Sequence, residues 1–113
     1  MIFKIVEREA WSAAASEGTY RGSPDDQRDG FIHFSAPHQL RGTAAKHFRG
    51  VTGLVLGAFD EGALGDTLKW EPSRGGDLFP HLYGALPTTL ALWEKPLPLD
   101  GEGVPVVPED ITA

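Results

Sequence analysis

Short apolar runs separated by turn-forming residues constrain the fold of this chain more than any other feature of its sequence. Their length, and the Gly, Pro and Asp that bound them, are typical of β-strands in a small domain. The runs predict strands at residues 2–6, 31–34, 53–59, 68–71, 79–83 and 88–93. In the first of them we expect Lys4 to point away from the core, because successive side chains of a strand alternate between its two faces.

Two segments in the first half of the chain have the pattern of helices. Residues 7–16 are rich in alanine, with Trp11 on the apolar face and Gly18 as the end of the helix. Ser35 stands directly before a second segment, residues 36–49, where a side chain that caps a helix is expected. In this segment an apolar side chain recurs at every fourth position, at Leu40, Ala44 and Phe48.

The remaining segments predict a loop, a tail and one domain boundary. Residues 18–30 combine Gly, Asp and Arg with a Ser-Pro turn signal, and we expect a loop there. From residue 96 the chain is rich in proline and is expected to pack loosely or to stay mobile. We therefore expect one α+β domain over residues 1–95, with a largely antiparallel sheet and two helices in its N-terminal half, and a Pro/Gly-rich tail at 96–113.

Composition disfavours several classes of partner. The 113 residues suffice for one hydrophobic core. A net charge of -6 makes nucleic acid and anionic membranes unfavourable partners, and no apolar segment approaches the ~18 residues of a membrane span. The chain has no cysteine, so it can form neither a disulfide nor a thiolate metal site. We expect a cytoplasmic protein, and its oligomeric state is open.

Two histidines interrupt the apolar runs in the same way. His33 is followed two positions later by Ser35, and His81 by Tyr83. Because residues i and i+2 of a strand share a face, each pair gives its strand a polar side. We predict that both pairs line one pocket, in which Ser35 at the start of a helix could hold an anion. The alternative is that the histidines are ordinary polar residues near the surface and that Ser35 only caps the helix.

Other residues could contribute to such a pocket. Glu71, in the stretch LKWE, is a candidate general base or ribose contact, or else a solvated charge. Trp70 beside it is a candidate ligand contact, although a place in the core is the simpler interpretation. Three arginines in Gly-rich loops could contact an anion, namely Arg21, Arg28 and Arg74. His33, His81 and Glu71 would also suit a metal with two His and one carboxylate ligand, but no HxH or HExxH spacing supports one, and we expect none.

Four blocks of the sequence, GFIHFS, QLRGTAAKHF, LGDTLKWE and FPHLYG, resemble in their order the family known as domain of unknown function 952, over about residues 2–94. That family is usually grouped by fold with the ADP-ribosyltransferases, which have a split antiparallel sheet around an NAD-binding cleft. The resemblance therefore implies an ADP-ribosyltransferase-like fold, with NAD as a candidate cofactor. It marks as site residues His33, Ser35, Glu71, His81 and Tyr83.

The residues and the resemblance together predict a small enzyme or ligand-binding domain whose cleft holds NAD, another nucleotide or a phosphorylated small molecule. The candidate catalytic residues are His33, Glu71 and His81. The candidate ligand-binding residues are Ser35, Tyr83, Trp70 and Arg21. The alternative is a noncatalytic module that senses a ligand or binds a partner. A purely structural role for the two histidines predicts that replacing them lowers stability whether or not a ligand is present.

Overall fold

The computed structural model describes residues 1–112, apart from the side chains of Arg74 and Thr112. The strands are β1 (Ile2–Glu7), β2 (Thr19–Tyr20), β3 (Ile32–His33), β4 (Leu54–Phe59), β5 (Leu68–Pro72), β6 (Leu78–Leu82), β7 (Leu86–Pro87) and β8 (Trp93–Leu97). The helices are α1 (Arg8–Glu17), α2 (Pro24–Asp29), α3 (Pro37–His47) and α4 (Glu61–Leu64), with 3-10 turns at Gly65–Thr67, Arg74–Gly76, Thr88–Leu90 and Glu109–Thr112. The predicted α+β class with antiparallel sheets is confirmed. None of the helices described is long and apolar enough to cross a membrane, and the cytoplasmic location stays a prediction.

Two three-stranded antiparallel sheets meet at β1. One has the strand order β1-β4-β8 and the other β3-β6-β5, while β2 and β7 form a small third sheet. The two larger sheets are joined by one bridge, in which Phe3 and Ser35 exchange backbone hydrogen bonds of 2.9 and 2.8 Å. β1 is therefore the edge strand of its sheet that faces the other sheet, and every residue from Ile2 to Val6 is buried.

Apolar side chains on both faces of β1 anchor two hydrophobic clusters. Ile2 and Val6 pack in the cluster that contains Trp11 of α1, whereas Phe3 packs in the cluster that contains Leu40 of α3. Since neighbouring residues of a strand point to opposite faces, α1 and α3 lie on opposite sides of the β1-β4-β8 sheet. Each large apolar side chain buried in this way contributes roughly 1.5–3 kcal/mol of stability.

The Pro/Gly-rich segment at the C-terminal end packs on the body of the domain. β8 continues to Leu97, beyond the boundary predicted after residue 95. Val107 and Ile111 are 6% and 5% exposed and belong to the cluster around Leu40. The segment thus supplies part of the core in the described structure.

β2 and α2 lie where a loop was predicted at residues 18–30. The Ser23 hydroxyl accepts the backbone N–H of Asp26 at 3.1 Å, and the Asp26 carboxylate accepts the N–H of Ser23 at 2.9 Å. Pro24 occupies the first helical position, where a missing N–H has no cost. The Ser-Pro dipeptide therefore begins a helix here, and with α4 the described residues contain four helices instead of the two predicted.

Two expectations about single side chains were wrong. Lys4 is buried, because β1 is covered on both faces and the carboxylate of Asp26 supplies a counter-charge. The N-cap position of α3 is occupied by Ala36, not Ser35, because Ser35 is held in the bridge to β1 and lies one position too early.

The strand predicted at residues 88–93 is also wrong. Thr88–Leu90 forms a 3-10 turn, and β8 begins only at Trp93. The backbone N–H of Thr88 donates to the carbonyl of Gly18 at 3.1 Å, so this segment is held against the end of α1. A tertiary contact has overridden the strand propensity of the threonines here.

Candidate functional site

Two histidine rings lie side by side on neighbouring strands. His33 of β3 and His81 of β6 are register partners, and their ring centroids lie 5.5 Å apart with the ring planes at 70°. Phe31 covers this pair, since its ring stacks on His81 at 4.0 Å and lies 4.6 Å from His33. The fold therefore brings together two imidazoles that are distant in the sequence.

A buried carboxylate holds one of these histidines. Asp26 of α2 is 2% exposed, and its Oδ1 lies 2.6 Å from Nδ1 of His33. The same oxygen accepts the backbone N–H of His33 at 3.1 Å. The ammonium of Lys4 donates to the two carboxylate oxygens at 3.2 and 2.9 Å. Asp26 thus ties β1, α2 and β3 together at one point.

The charges of Lys4 and Asp26 depend on each other. Burial by itself would raise the pKa of Asp26, but the hydrogen bond from His33, the charge of Lys4 and the N–H of Ser23 outweigh it and hold that pKa well below its usual range. Burial is also the largest influence on Lys4, whose pKa it lowers against the attraction of Asp26. The contacts of the Lys4 nitrogen with both oxygens of Asp26, at 3.2 and 2.9 Å, are those of an ammonium paired with a carboxylate.

A second carboxylate lies at the other nitrogen of the His33 ring. Oδ2 of Asp29 is 3.0 Å from Nε2 of His33, and Oδ1 of Asp29 accepts the Nε–H of Arg28 at 3.1 Å. The hydrogen bond from Arg28 is the main cause that lowers the pKa of Asp29. Since carboxylates only accept, His33 can donate to both Asp26 and Asp29 only when both ring nitrogens carry a proton. Asp29 and Arg28 are open to solvent, so this outer contact is weakly held.

His81 has a carboxylate partner of its own. Oε1 of Glu71 lies 2.8 Å from Nδ1 of His81 and accepts the hydroxyl proton of Tyr83 at 2.7 Å. The hydrogen bond from Tyr83, and after it that from His81, lowers the pKa of Glu71, while the contact with Glu71 raises the pKa of Tyr83. Glu71, His81 and Tyr83 therefore form a second hydrogen-bonded unit beside the first.

Both histidines contribute to the wall of one cavity of about 290 Å³. This volume is at the lower end of the roughly 300–1,000 Å³ of pockets for drug-sized ligands. The polar part of the wall includes Lys4, Asp26, Arg28, Asp29, His33 and His81. Its apolar part includes the rings of Phe3, Phe34, Phe48 and Phe79. Within residues 1–112, no three His, Asp or Glu side chains are arranged to hold a metal ion.

Ser35 lies in the cavity wall, but its surroundings differ from those expected. Its hydroxyl is hydrogen-bonded to that of Thr43 at 3.1 Å. At the start of α3, the side chain of Gln39 accepts the backbone N–H of Ala36 at 3.0 Å. A side chain of the helix itself therefore occupies the expected anion position at the N-terminus of α3.

Four of the predicted site residues do not line the cavity, namely Glu71, Tyr83, Trp70 and Arg21. Glu71 and Tyr83 reach it only through the contact of Glu71 with His81. Trp70 pairs with Pro80 and lies on the face of β5 opposite to Glu71, where it is 37% exposed, so it belongs neither to the core nor to the site. Arg21 is exposed in the connection between β2 and α2. The side chain of Arg74 lies outside the described residues.

Lys4, Asp26 and Asp29 belong to the site and were not predicted. The spacing of Ser23 and Asp26 is typical of a helix N-terminus in which the two residues cap each other. Recognising this pattern would have predicted a short helix that carries Asp26 and Asp29. For Lys4 the sequence shows only a positive charge inside an apolar run. This pattern indicates that the charge has a buried partner, but it does not identify the partner.

Stability is expected to fall at low pH as Asp26 takes up its proton. An unfolded aspartate titrates near pH ~3.9, and the folded-state pKa of Asp26 is lower, so the unfolded chain binds the proton first and acid favours unfolding. The contribution of Asp26 is therefore complete above about pH 4 and is lost as the pH falls through the folded pKa. Urea unfolding at several pH values below about 5 measures this slope. Asp26→Asn should have a shallower slope, and an unchanged slope would assign the acid sensitivity to other carboxylates.

Comparison with known proteins assigns the chain to a family of mixed α and β structure. The family model described as protein of unknown function, DUF952, matches residues 5–93, and the chain belongs to this family. The resemblance carried by the four sequence blocks is thereby confirmed.

Protein CC0527 from Caulobacter crescentus has a similar structure. Its crystal structure matches at a TM-score of 0.91 and 50% identity, over 93% of this chain and 92% of that chain, as does the crystal structure of a double mutant of it. Its solution NMR structure matches at 0.83 and 51% identity, over 92% and 90%. No curated protein matches the chain. These matches support the α+β fold but not the expected likeness to ADP-ribosyltransferases.

Proposed function

We propose that the cavity beside His33 binds a small phosphorylated molecule, of the size of a mononucleotide or of one half of NAD. The observation that carries this proposal is the position of the Asp29 carboxylate. It lies between Nε2 of His33 and Nε of Arg28, with one oxygen on each, at 3.0 and 3.1 Å. Two oxygens of a phosphate can make the same two contacts.

The charges around this position support an anion as the ligand. Asp26 is neutralised by Lys4, at 2.9 Å, so it adds little net negative charge behind the ring of His33. Asp29 is held only through solvent-exposed contacts and can turn away into water. When it does, the ring of His33 and the guanidinium of Arg28 present N–H donors to the cavity, although Arg28 also keeps its contact with the exposed carboxylate of Asp25 at 3.2 Å.

The size and wall of the cavity support a ligand with a flat apolar part. About 290 Å³ is too little for a whole dinucleotide, given that drug-sized ligands occupy roughly 300–1,000 Å³. The apolar part of the wall, which includes Phe48, suits a base or a similar flat group. An ADP-ribosyltransferase-like cleft remains part of this proposal, because two sheets joined by the single bridge of Phe3 and Ser35 form a split antiparallel sheet.

His33→Ala is expected to weaken phosphate binding strongly, because it removes the half-buried ring whose Nε2 would donate to the phosphate. Titration with inorganic phosphate, AMP, ADP-ribose and NAD, followed by NMR shifts of the folded protein, measures the affinity. His38→Ala is the matched control, since His38 is exposed and outside the cavity wall. Asp29→Asn should bind phosphate several-fold more tightly than the wild type, because a competing anion is gone. Binding that is unaffected in both His33→Ala and Asp29→Asn would contradict the proposal.

A further inference from the structure

The geometry points to a reaction at this site: we propose that His33 and His81 act as a general acid and a general base that cleave a P–O bond of a bound phosphoester. This inference rests on the proposed binding of a phosphorylated ligand and adds the chemistry. It assigns the second histidine a role that ligand binding alone does not require.

The two histidines are built as equivalent units. Each has a carboxylate at its Nδ1, Asp26 at 2.6 Å for His33 and Glu71 at 2.8 Å for His81. A carboxylate at Nδ1 fixes the orientation of the ring and leaves Nε2 as the nitrogen that can meet a ligand. The ring centroids are 5.5 Å apart and both rings contribute to the same cavity wall. One small substrate can therefore lie within reach of both rings.

The neighbours of the rings distinguish their roles. Nε2 of His33 faces the position that the substrate phosphate would take from Asp29, whose oxygen lies 3.0 Å away. A phosphate oxygen there can only accept from the ring, so the proposal makes His33 the proton donor. Nδ1 of His81 faces the carboxylate of Glu71, which can only accept, so in the neutral ring Nδ1–H donates to Glu71 and Nε2 has a lone pair. His81 is accordingly the proton acceptor. Glu71, which also accepts from Tyr83 at 2.7 Å, is a positioning residue.

The step balances with water as the only co-reactant. Nε2 of His81 takes a proton from water while the water oxygen forms a bond to phosphorus. The ester P–O bond breaks, its electron pair stays on the leaving oxygen, and that oxygen takes the Nε2 proton of His33. The products are the cleaved phosphate and the free alcohol, and solvent then returns a proton from His81 to His33.

An acid–base pair of this kind suits a phosphoester better than NAD. When NAD loses nicotinamide, the pyridinium group leaves as a neutral molecule and needs no proton from the protein. An alkoxide that leaves phosphorus is strongly basic and does need one. The presence of a positioned donor in addition to a positioned acceptor therefore favours cleavage at phosphorus.

Two substrates with different leaving groups test both roles. Adenosine 2′,3′-cyclic monophosphate loses a ribose alkoxide, whereas methyl 4-nitrophenyl phosphate loses a stable phenolate. At saturating substrate, His81→Asn should lower kcat for both esters by about 10²- to 10⁴-fold. His33→Asn weakens binding and should raise KM for both esters, but it should lower kcat by that factor only for the cyclic nucleotide. His38→Asn, the exposed control, should leave kcat unchanged. The wild-type pH profile should be bell-shaped, and His81→Asn should lose its low-pH limb and His33→Asn its high-pH limb.

The possible results separate this inference from the binding proposal. Phosphate or AMP that binds without turnover of either ester would overturn the acid–base pair and leave the binding proposal standing. Loss of binding as well would overturn both. Hydrolysis of NAD without hydrolysis of the esters would overturn the assignment to phosphorus. If the buried His81 cannot be replaced without unfolding, a wild-type profile that lacks either limb would contradict the pair.

Discussion

Asp26→Asn is expected to destabilise the folded domain by about 3–5 kcal/mol, because it leaves the buried ammonium of Lys4 without a counter-charge. Lys4 and Asp26 side chains are 7% and 2% exposed, so water cannot replace the lost partner. The substitution also weakens the contact with the N–H of Ser23 that begins α2, and the contact with His33. Urea unfolding followed by tryptophan fluorescence gives the change in the free energy of unfolding.

Asp25→Asn is the matched control for this prediction. Asp25 lies on the same helix and pairs with Arg28, but its side chain is 77% exposed, so little change is expected. The double variant Lys4→Met, Asp26→Leu should regain part of the lost stability, because neither charge is then buried alone. A stability of Asp26→Asn within about 1 kcal/mol of the wild type would mean that Lys4 is solvated or neutral, contrary to the ion pair described.

Apolar periodicity recovered the elements that are held mainly by burial. α1, with Trp11 and Ala14 buried, and α3, with Leu40 and Ala44 buried, lie where the helical patterns placed them. The strand around residues 53–59 is fully buried, as its composition indicated. These elements have one apolar pattern each, and a local pattern is enough to predict them.

Strand alternation also placed His33 and His81 on the polar sides of their strands, and the structure has them as neighbours. The partners of these histidines were harder to predict, because they come from other parts of the chain. Asp26 comes from a segment that the sequence indicated as a loop, and its link to Lys4 spans 22 positions. Lys4 is buried against Asp26 where β1 meets the segment around Ser35, and no local sequence pattern contains that tertiary contact.

For the C-terminal segment, the structure differs from the prediction made from composition. Its prolines and glycines indicate a tail that a domain over residues 1–95 could fold without. In the structure, however, Val107 packs in the cluster of Leu40 and is 6% exposed, while its neighbour Val106 is 45% exposed. Substitutions at these two adjacent valines, one buried and one exposed, therefore test whether the segment is packed or loose.

Val107→Asp is accordingly expected to lower the free energy of unfolding by about 3 kcal/mol or more, because it removes a buried apolar side chain and buries a charge without a partner. Val106→Asp makes the same chemical change at an exposed position and should lower it by less than about 0.5 kcal/mol. Urea unfolding of the two variants side by side measures the difference. Equal, small effects would show that residues 1–95 fold independently of this segment. A large difference would show that the segment is part of the domain. Since the segment packs against α3, and α3 contributes to the cavity wall, residues that composition alone assigns to a tail would then also support the cavity.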